Sequence, residues 1–224
     1  MATLSTPVRS HYVWEFPVRL VHWVNASSIV VLFFTGLFLA TPFSRSFSMG
    51  RMREFHMIFG FALMLGTVIR VYWFFAGNNY ARSGFPMFWK LSWYRAVLQQ
   101  MIDYTKLDRG YVHIGHNSLA GASYAALFVL CIFQMVTGLA LYGETNRGGF
   151  WDSLLGWTTT LLGGSYRVQL WHLMAAWFIV IIALFHVYIV LYDAQLYKDK
   201  LVRSMIFGEK TSIEGDHDAT TWIS

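Results

Sequence analysis

The sequence predicts an all-α integral membrane protein with four transmembrane helices. Three observations carry that expectation. Of 224 residues, 56% are hydrophobic and only 13% are charged, whereas about a quarter of residues are charged in ordinary soluble domains. Four apolar runs, each of at least twenty residues, are long enough to cross a hydrocarbon core of about 30 Å. Aromatic residues stand near the ends of these runs (Trp23, Trp73, Tyr142, Trp171, Tyr192), where amphipathic rings settle at the membrane–water boundary.

The first run covers residues 20–40 and stops before Thr41-Pro42, because the residue preceding proline is pushed out of helical geometry. It has no small-residue cleavage site and three more runs follow, so it is expected to be a retained helix rather than a signal peptide. The second run, 54–76, ends at Gly77-Asn78-Asn79; the third, 119–142, ends at Gly143; the fourth, 170–192, ends at Asp193. Residues 1–208 are expected to form one four-helix domain, with 209–224 a C-terminal tail. Two connections exceed a turn. Residues 88–106 mix aromatic and charged positions and suit a helix lying in the membrane interface. Residues 149–163 are apolar but too short to span, and read equally as a membrane-resting loop or a partner-docking surface. No internal repeat or low-complexity segment is expected.

The net charge of +5 does not point to nucleic acid, because the basic residues are scattered through loops beside the spans. Arg9, Arg19, Arg82, Lys90, Arg95, Lys106, Arg109, Lys198, Lys200, Arg203 and Lys210 fall on one side, eleven in all. Arg45, Arg51, Arg53, Arg147 and Arg167 make five on the other. The excess of Lys and Arg on cytoplasmic loops then predicts both termini in the cytoplasm.

The single cysteine, Cys131, lies inside the third run. One thiol makes no intrachain disulfide and holds no iron–sulfur cluster, and the C-x-x-C-H attachment motif of covalent haem is absent. Any haem here is therefore non-covalent.

An ionisable side chain inside a membrane helix is costly and signals function, and the fourth run holds two, His172 and His186, fourteen residues apart. Fourteen residues are nearly four turns, which puts both rings on one face with about 21 Å between them along the axis. His22 opens the first run and His56 opens the second. Alternating helix directions place His56 with His172 in an outer layer and His22 with His186 in an inner one. Paired imidazoles from facing helices are a known way to ligate the iron of b-type haem, so two non-covalent b haems are expected. Zinc fits poorly, since no carboxylate or cysteine stands ready to complete a tetrahedral site. Gly36, fourteen residues after His22, lies on the same helix face at the outer layer and leaves room for a macrocycle. Arg70, fourteen after His56, lies at the inner level, where a guanidinium suits haem propionates. Along the fourth run Ala175, Ala176, Ile179 and Ala183 follow the histidine face. His113 and His116 precede the third run at the cytoplasmic interface, and read equally as proton-handling groups beside a quinone or as surface histidines. Nothing in the sequence suggests catalysis by the chain itself.

Several segments carry a family resemblance. His11-Tyr12-Val13-Trp14-Glu15-Phe16-Pro17-Val18-Arg19 with His22-Trp23, Gly77-Asn78-Asn79-Tyr80-Ala81-Arg82, Gly115-His116-Asn117-Ser118-Leu119-Ala120, Thr137-Gly138-Leu139-Ala140-Leu141-Tyr142 and Trp171-His172 with His186-Val187-Tyr188 resemble the b-type cytochrome subunit of membrane-bound nickel–iron hydrogenases, from about residue 10 to 208. The paired histidines alone are shared with the wider group that includes the cytochrome subunits of formate dehydrogenases. The resemblance implies a bacterial inner-membrane electron conduit that anchors a periplasmic hydrogenase. Electrons would arrive from the iron–sulfur small subunit, and through it from the large subunit, and pass to the quinone pool of a respiratory chain. The competing readings are the same device serving formate dehydrogenase or another periplasmic oxidoreductase, and, in another class, a haem-free membrane anchor or transporter.

Overall fold

The computed structural model describes residues 9–83, 90–106, 113–114, 118–196, 201–212 and 217–218. Nearly all of it is helical. Four long helices dominate: α1 (Phe16–Ala40) and α2 (Met49–Ala76) in the first half, then, after the shorter α3 (Asn79–Ser83) and α4 (Leu91–Lys106), α5 (Ser118–Gly143). Two short helices follow, α6 (Phe150–Leu155) and α7 (Trp157–Leu161), before α8 (Ser165–Leu196) and the final α9 (Leu201–Phe207). Among the described residues four helices are long and apolar enough to cross a membrane. The shortest of them, α1 with 25 residues, reaches about 37 Å at the α-helical rise.

Each long helix overruns the apolar run that announces it. α1 starts at Phe16, α2 at Met49 and α8 at Ser165, because backbone hydrogen bonding continues past the first polar residue and stops only at a breaker. Pro17 sits in the first turn of α1, where its missing N–H costs nothing. Gly163 and Gly164, at φ +84° and +104°, make the left-handed turn that leads into α8. Large apolar side chains on these helices point outward: Phe34, Leu65, Phe75, Val129, Leu184 and Phe185 are all exposed. Such a surface is an aggregation hazard in water and the right one for lipid.

The connection expected to form an interfacial helix contains α4, whose exposed Leu91, Tyr94, Leu98, Met101 and Ile102 recur at helical spacing. The 149–163 connection is α6 and α7, joined at Gly156 in right-handed helical geometry.

The chain divides into two compact units. One comprises residues 1–21, 70–126 and 185–224, the other residues 22–69 and 127–184. In the first, strand β1 (Arg9–Tyr12) pairs antiparallel with β3 (Glu209–Ser212), with Tyr12 opposite Glu209, and β2 (His113–Ile114) pairs parallel with β4 (His217–Asp218). The sequence reading has no strand here: a four-residue ladder between the two ends of a chain leaves no periodicity to detect. Val13, Trp14, Val18 and Ala81 form the buried cluster of this unit, with Trp73, Tyr80 and Met205 packed against it. The Glu15 carboxylate accepts from Trp73 Nε1 at 3.0 Å and from the Asn78 backbone N–H at 2.9 Å. Asn78 in turn donates through Nδ2 to the Val13 carbonyl and accepts the Ala81 N–H on Oδ1. The Arg82 side chain caps the end of α2 by donating to the Phe74 and Phe75 carbonyls. Backbone N–H groups of Val13 and Trp14 converge on the carbonyl of Gly208, and Arg19 donates to the Ile206 carbonyl. Two of the segments that carry the family resemblance, around residues 11–19 and 77–82, are thus one packed structure.

In the second unit all four long helices touch. Gly60 and Gly66 of α2 face Leu32 and Asn25 of α1. Phe33 of α1 meets Trp177 of α8 edge-to-face at 4.9 Å, and Phe61 of α2 meets Tyr142 of α5 and Trp151 of α6. Phe38 is buried, with Phe43 and Phe47 against its ring.

Candidate metal centre

Within the second unit two imidazoles face one another. His56 lies in the second turn of α2 and His172 in the second turn of α8. Their ring centres are 6.3 Å apart, with the planes inclined at 59°. A metal between two imidazoles needs two bonds of about 2 Å plus about 1.1 Å from each nitrogen to its ring centre, about 6.2 Å in all. The observed separation of the ring centres equals that span to about 0.1 Å.

The surroundings of the two rings are alike. Nδ1 of His56 lies 2.9 Å from the Thr35 hydroxyl of α1, and Nδ1 of His172 lies 2.8 Å from the Thr137 hydroxyl of α5. A glycine follows each threonine. A methyl group at Gly36 would stand 3.3 Å from Cε1 of His56, and one at Gly138 would stand 3.2 Å from Cε1 of His172. Glycine at each position lets the backbone of α1 or α5 come up against the ring edge of the facing histidine without a Cβ in between. Gln134, one turn before Thr137, donates through Nε2 to the backbone carbonyl of His172 at 2.9 Å and ties α5 to α8. Among the described residues no group of three or more His, Cys, Asp and Glu side chains gathers. The donor set is two opposed imidazoles, which suits the two axial positions of a haem whose porphyrin supplies the other four nitrogens.

The other sequence-predicted residues fall as follows. His22 is half-buried in the second unit and packs edge-to-face on Trp23 at 5.2 Å. His186 belongs to the first unit and is exposed. Arg70, in the first unit, is 6% exposed; it donates through Nη2 to the Ala81 carbonyl at 2.7 Å and lies 5.3 Å from the Tyr124 ring centre. Ala175 and Ile179, on the histidine face of α8, are buried. The His113 backbone lies in β2, in register with His217, and His116 lies outside the described residues.

Thr35, Thr137, Gly138 and Gln134 escape a reading that looks only for ligands. The signal that finds three of them is Thr35-Gly36-Leu37-Phe38-Leu39 against Thr137-Gly138-Leu139-Ala140-Leu141. This five-residue similarity is shorter than any structural repeat unit. It is too short to stand out before the contacts reveal that both copies do the same thing.

The chain is similar to known proteins over most of its length. Residues 13–208 match the family model described as prokaryotic cytochrome b561. A protein of Cupriavidus necator named "Probable Ni/Fe-hydrogenase B-type cytochrome subunit" is 36% identical over 91% of this chain and 88% of its own length. One of the same name from Azotobacter vinelandii is 36% identical over 88% of this chain and 87% of its own. The "Probable Ni/Fe-hydrogenase 1 B-type cytochrome subunit" of Escherichia coli K12 is 31% identical over 94% and 95%. With its four apolar helices and the match over most of its length, the chain is an integral membrane protein that belongs to the prokaryotic cytochrome b561 family.

Proposed function

We propose that this chain carries electrons through the bacterial inner membrane from a periplasmic nickel–iron hydrogenase to the quinone pool, and anchors that hydrogenase. The observation that carries the reading is the His56–His172 pair, set at the span of one shared iron with a threonine on each ring. The printed names of the relatives supply the hydrogenase. In this reading His56 and His172 hold one non-covalent haem b, and His22 and His186 hold a second. Each haem, when bound, takes up and releases single electrons.

The chain's own contribution is positional. His56 and His172 would hold the haem with their imidazoles, and the chemistry it would supply there is single-electron transfer. The apolar helices exclude water. On α8 the two histidines are fourteen residues apart, about 21 Å along the axis, a spacing that supports one ligand toward each membrane surface. Arg70 is the candidate for a propionate partner and Gly36 for haem contact. His113 and His116 are candidates for proton handling beside the quinone.

The excess of Lys and Arg in the tails and in the 77–118 connection supports cytoplasmic termini, which puts the 41–53 and 143–169 connections on the periplasmic side. The β1–β3 ladder supports both ends of the four-helix domain lying on one side. The iron–sulfur small subunit would then approach from the periplasm, nearest His56 and His172.

The test is an optical spectrum of the membrane complex under hydrogen. The reduced b-type α band should appear without added reductant and decline when a quinone analogue is supplied. A haem that dithionite reduces but hydrogen does not, in a complex with active hydrogenase, overturns the conduit. Reduction by formate through a co-purifying molybdenum enzyme would assign the chain to the alternative oxidoreductase.

A further inference from the structure

We infer that Thr35 and Thr137 are positioning residues that fix the tautomer of His56 and His172 and set the redox poise of the iron between them. The inference rests on the proposed haem site. It follows from the count of protons on one hydroxyl. Thr137 Oγ1 lies 2.7 Å from the Phe133 carbonyl, one turn back on its own helix, and 2.8 Å from Nδ1 of His172. Thr35 Oγ1 lies 2.7 Å from the Val31 carbonyl and 2.9 Å from Nδ1 of His56. A carbonyl only accepts, so the single hydroxyl proton goes to the helix backbone. The hydroxyl oxygen must then accept from the ring, and Nδ1 carries the ring proton. The Nε2 lone pair is left for the metal on both histidines.

The two threonines do this from different helices in the same way. Thr137 is fully buried and Thr35 nearly so, so neither hydroxyl has water as a ready alternative partner. Each is followed by the glycine that clears the ring edge, and each lies in a copy of Thr-Gly-Leu-x-Leu. The module therefore comprises a carbonyl, a hydroxyl, a protonated Nδ1 and a free Nε2, built once on α1–α2 and once on α5–α8. A ligating histidine whose other nitrogen donates a hydrogen bond is a more basic ligand, and loss of such a partner typically costs 10- to 100-fold in metal affinity. A more basic ligand favours ferric over ferrous iron, so the threonines hold the outer midpoint potential down.

The experiment compares Thr137→Val, Thr35→Val and Thr137→Ser in the full chain with its partner. Val keeps the shape and removes the hydroxyl, and Ser keeps the hydroxyl. The readouts are an equilibrium redox titration followed optically and the rate of haem loss to apomyoglobin. Both Val variants should raise the midpoint potential of one haem and speed its loss about 10- to 100-fold, while Thr137→Ser stays near wild type. A Thr137→Val protein with wild-type potential and haem retention overturns the assignment, as does a Ser variant that behaves like Val. His172→Ala separates the two levels of the argument. If it loses one haem while Thr137→Val changes nothing, only the threonine role fails. If His172→Ala keeps every haem, the site itself is wrong and the threonine role falls with it.

Discussion

A methyl group on Gly138 would stand 3.2 Å from Cε1 of His172. That is closer than side chains normally tolerate, and the same relation holds between Gly36 and His56 at 3.3 Å. The ring of each proposed ligand is therefore wedged between a threonine hydroxyl and a glycine of the neighbouring helix. Gly138→Ala should displace the ring by a few tenths of an ångström and shift the haem spectrum with little loss of haem. Gly138→Val adds bulk that the ring cannot absorb and should cost about 1–3 kcal/mol, as overpacking does, seen as haem loss on dilution. A Val variant with wild-type haem content and spectrum would contradict the wedge.

The first unit makes a separate prediction. The Glu15 carboxylate accepts two hydrogen bonds, from Trp73 Nε1 and Asn78 N–H. Bonds to a charged group contribute about 1.5–3 kcal/mol each, and donors left unpaired cost more. Glu15→Ala should destabilise the chain by about 2–4 kcal/mol and lower Tm in detergent, whereas Glu15→Gln, which can still accept, should lower it less. Equal losses from both variants would mean that the charge, rather than the hydrogen bonds, carries the stability.

Orientation is checked independently of haem. The proposed topology, drawn from the excess of Lys and Arg in the tails, has the C-terminus in the cytoplasm, so a green fluorescent protein fused after Ser224 should fluoresce, and an alkaline phosphatase fused there should be inactive. Active phosphatase at that position would reverse the topology and move the His56–His172 pair away from the periplasmic partner.

Much of this architecture was legible in the chain because it follows from composition and period. Long apolar runs produce helices wherever backbone groups must bond internally, and the four long helices contain the four expected runs. The His56–His172 pairing follows from alternating helix direction and the fourteen-residue spacing, and the structure brings those two rings together. What escaped is what depends on contacts between helices far apart in sequence. Thr35 and Thr137 are ordinary membrane-helix residues until the ring opposite each is known. The position of Gly36 on its helix suggests room for a macrocycle, whereas the contact it makes is with the edge of His56 on the next helix. The level of Arg70 in its helix suits a propionate partner, and its surroundings also include the Ala81 carbonyl and the Tyr124 ring. The β1–β3 ladder joins residues about two hundred positions apart, and no local pattern encodes that.

The most direct test of the central claim is haem content per chain by pyridine haemochrome, on detergent-purified wild type and on His56→Ala, His172→Ala, His22→Ala and His186→Ala. The account predicts two b haems in the wild type, loss of one in His56→Ala or His172→Ala, and loss of the other, with a different α-band position, in His22→Ala or His186→Ala. No haem in wild-type protein expressed with ample haem supply, or an undiminished haem content in His172→Ala, would contradict it.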